Sequence, residues 1–378
     1  MGCSNSVELQ GKRVVIIGGG YGGIAAANKL LGKCQLTLID PKDAFHHCLA
    51  ALRSCTEDGL AGKTFIPYEP AFGESFKRGT VESIDTNSKE VRLSGGESVS
   101  YDYLIIATGC QGPFPGNVEG GEDTDVYVSQ YTAMLQKVKF ANEIVVIGGG
   151  AVGLEMAGEI ATDYPNKSVT VVHSRDYLVE GDNLRPAFRD GIKDQLVAKG
   201  VKLVLGEKVT NLDDIPRDGS SKCTVKTNKG TEIEADLAIV CIGQPGKSST
   251  TYSTSLQSSM TERGYVRVNE YLQVEGFTDV FAIGDCCESG AAKMAYIAGY
   301  HGELTADNIW YSVEKCGLKK WKQPGVLMIL PIGRNGGMFQ VGNWVFGSFL
   351  SRKIKSEHLF LSKYWGEMKQ KVPTETYL

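Results

Sequence analysis

Two short glycine-rich runs constrain this chain more than any other feature. The first, VVIIGGGYGG, sets Gly18, Gly20 and Gly23 in G-x-G-x-x-G spacing; the second, IVVIGGGAVG, repeats it with Gly148, Gly150 and Gly153. Each follows a β-branched apolar run and opens an alanine-rich stretch. In that strand-turn-helix setting the first glycine makes the tight turn, and the second lets a pyrophosphate approach the backbone. The third lets helix pack on strand. The helix N-terminus adds amide donors and a partial positive charge. Two such units predict an α/β protein with two Rossmann-like dinucleotide-binding domains. Two bound dinucleotides in turn predict electron transfer between them.

The remaining segments arrange themselves around these units. LTLID (36–40) reads as the second strand of the first unit, followed by a helical stretch at 45–55 and short strands. YDYLIIATG (101–109) is a buried strand ending at Thr108-Gly109, and 110–125 is a loop rich in Gly, Pro, Glu and Asp. The second unit has strand 144–147, helix 153–162, strand 169–174 and an amphipathic helix at 185–199. Strands then run through 201–243 to Gly243, before a Ser/Thr-rich loop at 246–262. Strands return at 264–285, a helix covers 291–313, and 325–365 alternates apolar runs with glycine turns. The expected division is therefore a flexible N-terminus (1–11) and a discontinuous first domain (12–125 and 264–322). A second domain spans 126–263, and a smaller C-terminal α+β subdomain spans 323–378.

The two units differ where nucleotide selectivity is set. Asp40 lies at the end of the second strand in the first unit and can accept from ribose hydroxyls. The equivalent position in the second is His173, followed by Ser174 and Arg175. No carboxylate stands there to repel a 2′-phosphate, and Arg175 can pair with one. Both NADH and NADPH are expected to bind. A third element, TDVFAIGDC (278–286), ends a strand in Gly284-Asp285 and can present an acid to the ribityl chain of a flavin. Glu155 and Glu159 lie four apart on the second helix and share a face. One is expected to order the nicotinamide half, the other to tune proton supply near the flavin; a solvated acidic face is the alternative.

Composition excludes several other functions. A net charge of −4 gives no field that would favour nucleic acid. No window holds eighteen uninterrupted apolar residues, and no signal peptide is evident. Ten scattered cysteines fit reduced thiols. Cys48 and Cys55 are seven apart, and Cys286-Cys287 is vicinal, so dithiol chemistry beside a flavin is disfavoured. The start, MGCSNS, fits N-myristoylation of Gly2, with Cys3 a candidate for a second acyl chain. One myristoyl chain binds membranes only marginally, so a second signal is needed. Residues 352–371 carry six basic and two acidic side chains. Phe346, Phe349, Leu350, Leu359, Phe360, Leu361 and Trp365 nearby can dip into a membrane interface, or else pack as a subdomain over the flavin.

VVIIGGGYGG, YDYLIIATG, IVVIGGGAVGLEMAGEI and TDVFAIGDC, in this order, resemble the two-dinucleotide flavoprotein reductases. That superfamily includes type II NADH:quinone oxidoreductases and apoptosis-inducing-factor-like proteins. The MGC start, KDAFHH (42–47), KTFIPY (63–68), ATGCQGPFPG (107–116), GLEMAGEI (153–160) and KMAYIAG (293–299) are most similar to its mitochondria-associated 2 subgroup, the ferroptosis suppressor proteins. The resemblance spans essentially the whole chain. It implies an FAD-bound NAD(P)H:quinone oxidoreductase that reduces ubiquinone-type lipid quinones to radical-trapping hydroquinones. The implied location is the cytosolic face of membranes (plasma membrane, lipid droplets, mitochondrial outer membrane), with a cytoplasmic pool. It also implies that Gly18, Gly20, Gly23, Asp40, Val81, Thr108, Gly109 and Asp285 contact FAD, with Lys293, Met294 and Ala295 against its ring. Gly148, Gly150, Gly153, Glu155 and Gly243 would hold NAD(P)H. His46 and His47 are proton donors to a reduced quinone or simply polar groups packed near the flavin. A homodimer is left open, and no specific nucleic-acid site or metal is expected. The competing readings are a soluble flavin reductase with a protein acceptor and a redox-gated, apoptosis-related interaction protein.

Overall fold

The computed structural model describes residues 9–181, 183–216, 221–243 and 253–374. The run VVII forms the strand Arg13–Ile17 at the centre of a five-stranded parallel sheet. Its order is Val280–Ala282, Tyr103–Ile106, Arg13–Ile17, Gln35–Asp40, Phe76–Arg78. These strands are apolar almost throughout because both faces of the sheet are covered. Val14, Ile16, Leu38 and Ile105 point to the face bearing the helices Tyr21–Leu30 and Ala295–Val313. Val15, Ile17, Ile39 and Ile106 point to the other face, under the antiparallel strands Val81–Asp85 and Glu90–Leu93. Each fully buried aliphatic side chain contributes about 1.5–3 kcal/mol. The two helices approach closely because Gly22 meets Gly302 at their crossing; a Cβ on Gly302 would overlap the Gly22 carbonyl. Val280–Ala282 returns to this sheet, beside Tyr103–Ile106, after the chain has built the second unit.

The second sheet is again parallel, in the order Lys202–Leu205, Ser168–His173, Glu143–Ile147, Leu237–Val240. Helices Ala151–Asp163 and Pro186–Ala198 pack against it. A seventeen-residue helix, Thr124–Phe140, is absent from the expected elements. Its buried residues, Tyr127, Tyr131, Met134, Leu135 and Val138, form one stripe. That stripe joins Phe65, Leu52 and Cys55 of the first unit to the core of the second. Residues 45–55 form two short helical turns, Cys48–Ala51 and Leu52–Cys55, rather than one helix.

The C-terminal part is a three-stranded antiparallel sheet, Leu327–Ile332, Gly336–Val341 and Trp344–Phe346, followed by short helical segments. Its first strand lies on the helix Ala151–Asp163 at Gly158, where a Cβ would press on the Ile332 backbone. This geometry corrects part of the tail reading. Leu359 and Trp365 are buried, and Trp365 Nε1 donates to the Lys63 carbonyl, so neither can enter a membrane interface. Phe346, Leu350, Phe360 and Leu361 are half-buried, whereas Phe349 and Trp344 stand out from the surface. Among the described residues no helix is long and apolar enough to cross a membrane. Gly2 and Cys3 lie outside the described residues.

Candidate functional site

The two glycine turns are built by the same bonds. Gly18 N donates to the Ile39 carbonyl at 2.7 Å, and Gly148 N donates to the Val172 carbonyl at 2.9 Å. Both glycines have positive φ, 102° and 123°, which favours glycine. A Cβ on Gly23 would overlap the Gly18 carbonyl, and one on Gly153 the Gly148 carbonyl. Gly20 and Gly150 each begin a helix and face open space. A phosphate can therefore reach the free amides at either helix start, so the residues present fit a dinucleotide in both units. Asp40 is buried; its Oδ2 accepts from Gly19 N at 2.7 Å and its Oδ1 from Lys42 N at 2.9 Å. In the second unit His173 Nδ1 takes the same donor, Gly149 N, at 3.1 Å.

The Gly284-Asp285 turn lies against Thr108-Gly109-Cys110. Gly109 and Gly284 have positive φ, 69° each. Cys110 Sγ donates to Asp285 Oδ2 at 3.4 Å. Burial raises the Asp285 carboxyl above its ordinary range, while Cys110 and Lys293 oppose that shift. Lys293 donates to the Cys287 carbonyl and lies 4.6 Å from the centre of the Tyr265 ring. Met294 precedes the first turn of the helix that Ala295 begins. Val81 starts its strand opposite Leu93. Gly243 is exposed after the strand Leu237–Val240.

The helix after the second turn carries three carboxylates at four-residue spacing, Glu155, Glu159 and Asp163, and each meets a cation from elsewhere in the chain. Lys355 Nζ donates to Glu155 Oε1 at 2.9 Å. Arg53 donates to both oxygens of Glu159. Arg334 donates to both oxygens of Asp163, at 3.1 and 2.9 Å. This overturns the solvated acidic face, and it leaves Glu159 no free oxygen for the proton-supply role expected of one member of the Glu155/Glu159 pair. Burial raises that carboxyl, but its two oxygens are committed to a guanidinium. Lys355 lies within electrostatic reach of His47 and Cys48, and Asp285 within reach of Cys48. The Glu155–Lys355 pair thus ties the helix after the second glycine turn to the C-terminal segment, near Cys48 of the first unit.

The two histidines separate. His46 stacks on Phe65 with ring centres 4.7 Å apart, and burial lowers its pKa to about 3. It is a packed core residue. His47 Nε2 donates to the Leu359 carbonyl at 2.7 Å, which leaves Nδ1 to accept from the Tyr21 hydroxyl at 3.0 Å. Burial lowers its pKa to about 4. A neutral ring whose one proton is committed to a carbonyl is a positioning group, which corrects the proton-donor reading. Arg175 is exposed and bonded to Tyr177 and Glu180.

Residues 12–302 match the family described as pyridine nucleotide-disulphide oxidoreductase. The chain belongs to that family. It is 42% identical to human ferroptosis suppressor protein 1 over 375 residues, covering 99% of this chain and 100% of the relative. Apoptosis-inducing factor homolog B of Dictyostelium discoideum is 32% identical over 384 residues, covering 96% and 98%. In three dimensions it resembles the sulfide:quinone oxidoreductase of Aquifex aeolicus, with a TM-score of 0.76 at 18% identity, over 96% of this chain and 93% of that one. This likeness shows the shared fold. Family membership and the curated homologues establish an FAD- and NAD(P)H-dependent oxidoreductase of the ferroptosis-suppressor group. Within this family member, Arg53, Lys355, Arg334 and Tyr21 are the site residues that sequence reasoning misses. The available signal was the i, i+4, i+8 spacing of three acids on a helix, which demands cations once that face is covered. Cys286 and Cys287 are buried, and their thiols donate to backbone carbonyls.

Proposed function

We propose that this oxidoreductase acts at a membrane surface and reduces ubiquinone-type lipid quinones to radical-trapping hydroquinones. The observation that carries the reading is the union of a flavin-type cradle with a C-terminal subdomain whose outer edge is apolar and basic. Trp344 and Phe349 are 73% and 75% exposed, with Arg352 and Lys353 exposed close by. Relatives named for ferroptosis suppression, matched over their full length, support a lipid-protecting acceptor. Cys286 and Cys287, the pair beside Asp285, are buried with their thiols turned to backbone carbonyls, which favours a small acceptor over a dithiol.

Gly18, Gly23, Asp40 and Asp285 would hold FAD, which when bound would supply the hydride- and electron-transfer chemistry between NAD(P)H and the acceptor. Gly18, Gly23 and Asp40 hold the first nucleotide turn, and Gly148 and Gly153 the second. Asp285 presents a carboxylate beside Gly109 for sugar-like hydroxyls. Glu155, fixed by Lys355, orients the nicotinamide half, and Lys355 Nζ holds a proton at the junction of the units. His47 fixes the Leu359–Phe360 turn to Tyr21 and closes the C-terminal segment over the first unit, which limits water.

The test is anaerobic reduction of the flavin-loaded protein by NADPH or NADH, followed by a ubiquinone analogue, with flavin absorbance tracked. Bleaching with recovery on quinone addition is the expected result. Bleaching without recovery moves the acceptor to another molecule and overturns the quinone reading.

A further inference from the structure

The end of the second strand in each unit lies beside the adenosine ribose of a bound dinucleotide. In the first unit a carboxylate performs the structural task there, with Asp40 Oδ2 accepting from Gly19 N. In the second unit His173 Nδ1 performs it for Gly149 N. Burial lowers the His173 pKa below its ordinary value, so the ring is neutral and acts as an acceptor. The glycine turn is therefore supported without the negative charge that would repel a 2′-phosphate.

The segment that follows folds back on the same turn, because Val179 N donates to the Gly149 carbonyl at 3.0 Å. That bond brings Glu180, the next residue, and Arg175 to the edge of the glycine turn. Arg175 Nη1 reaches the Tyr177 hydroxyl at 2.8 Å, and its Nη2 lies 3.0 Å from Glu180 Oε1. Arg189 lies over the other partner, 5.2 Å from the Tyr177 ring centre. Its own donors are committed to the Val179, Leu184 and Gly181 carbonyls. The Arg175 and Glu180 side chains are 46% and 61% exposed. An exposed pair of this kind is only weakly held, so a better anion displaces the carboxylate. A phosphate gives a guanidinium two parallel bonds and more charge.

We propose that Arg175 exchanges Glu180 for the 2′-phosphate of NADPH, making Arg175, Glu180 and His173 the residues that set this enzyme's preference for the 2′-phosphorylated donor. Glu180 occupies the phosphate position when the site is empty or holds NADH.

Titrating the flavin-loaded, full-length protein with 2′,5′-ADP and with 5′-AMP, followed by calorimetry, tests this without turnover or quinone. The expected result is that 2′,5′-ADP binds about tenfold or more tightly than 5′-AMP, the range of one charge-assisted contact. R175A removes that difference and leaves 5′-AMP binding unchanged, whereas E180Q widens it. H173D narrows it from the opposite side, by restoring the acid. Equal affinities in the native protein, or a parallel loss of both ligands in R175A, would overturn the proposal. Failure of the quinone assay with this binding pattern intact would count against the acceptor alone.

Discussion

Arg53 and Glu159 form a closed, two-point ion pair across the junction of the two nucleotide units. Nε and Nη2 of Arg53 lie 3.0 and 2.8 Å from the carboxylate oxygens, and the side chains are only 4% and 3% exposed. Nη2 also donates to the Ser356 carbonyl at 2.6 Å, which ties the C-terminal segment to the same guanidinium. Removing one partner leaves the other charged and buried, at a cost of about 3–5 kcal/mol. R53M and E159M are therefore expected to lower Tm by several degrees. The R53M/E159M double variant should lose less than the sum, because neither charge is then stranded. Unchanged melting in both single variants would remove the pair from any role in holding the units together.

The matching glycine turns predict separable losses. A Cβ at Gly23 would overlap the Gly18 carbonyl, so G23A should purify without FAD and show no visible flavin absorbance. A Cβ at Gly153 would overlap the Gly148 carbonyl, so G153A should retain its flavin but resist bleaching by NADPH or NADH. Flavin loss in G153A would show that the two sites do not fold independently.

Buried neutral histidines give the stability a direction with pH. His47 and His301 are both lowered to about 4, and His46 to about 3, each chiefly by burial. A base with a depressed folded-state pKa contributes stability that is present above its unfolded pKa of about 6.5. That contribution is lost as pH falls through the folded value. Urea midpoints should therefore decline steadily from pH 7 to pH 4.5. H47Q should have a shallower slope because it removes one proton-linked group worth at most about 3 kcal/mol. A slope identical to that of the native protein would mean that His47 is not buried neutral in solution.

The sequence revealed the sheets because their strands are short β-branched runs bounded by glycine, and the glycine spacing has a single steric explanation. It did not reveal the helix Thr124–Phe140, whose Thr, Val and Tyr residues are weak helix formers. Tertiary packing of Tyr127, Tyr131 and Met134 overrides that preference. The partners of Glu155, Glu159 and Asp163 were equally hidden. Lys355 and Arg53 lie 200 and 106 positions away, and nothing local marks either as buried. The tail misled for a related reason. Apolar residues mixed with cations look alike whether they face lipid or the protein's own core, and only the fold sends Leu359 and Trp365 inward.

What remains outward on that subdomain supports the last prediction. Trp344 and Phe349 are joined by Val341 and Ile354, which are 40% and 38% exposed. Arg352 and Lys353 lie alongside, 3.6 and 3.9 Å from Glu357 at their nearest approach. Burying one large apolar side chain is worth about 1.5–3 kcal/mol, and each cation near an anionic surface about 1 kcal/mol. W344S/F349S should therefore weaken binding to vesicles containing phosphatidylserine by about tenfold or more, at any salt concentration. R352E/K353E should weaken it mainly at low salt and little on neutral vesicles, because headgroup attraction is screened over about 10 Å at 0.1 M. These measurements use sedimentation with vesicles and protein carrying no acyl chain, so that an N-terminal anchor cannot mask the surface. Native-like partitioning of W344S/F349S would leave the aromatic edge without a membrane role and shift the contact to the N-terminus alone.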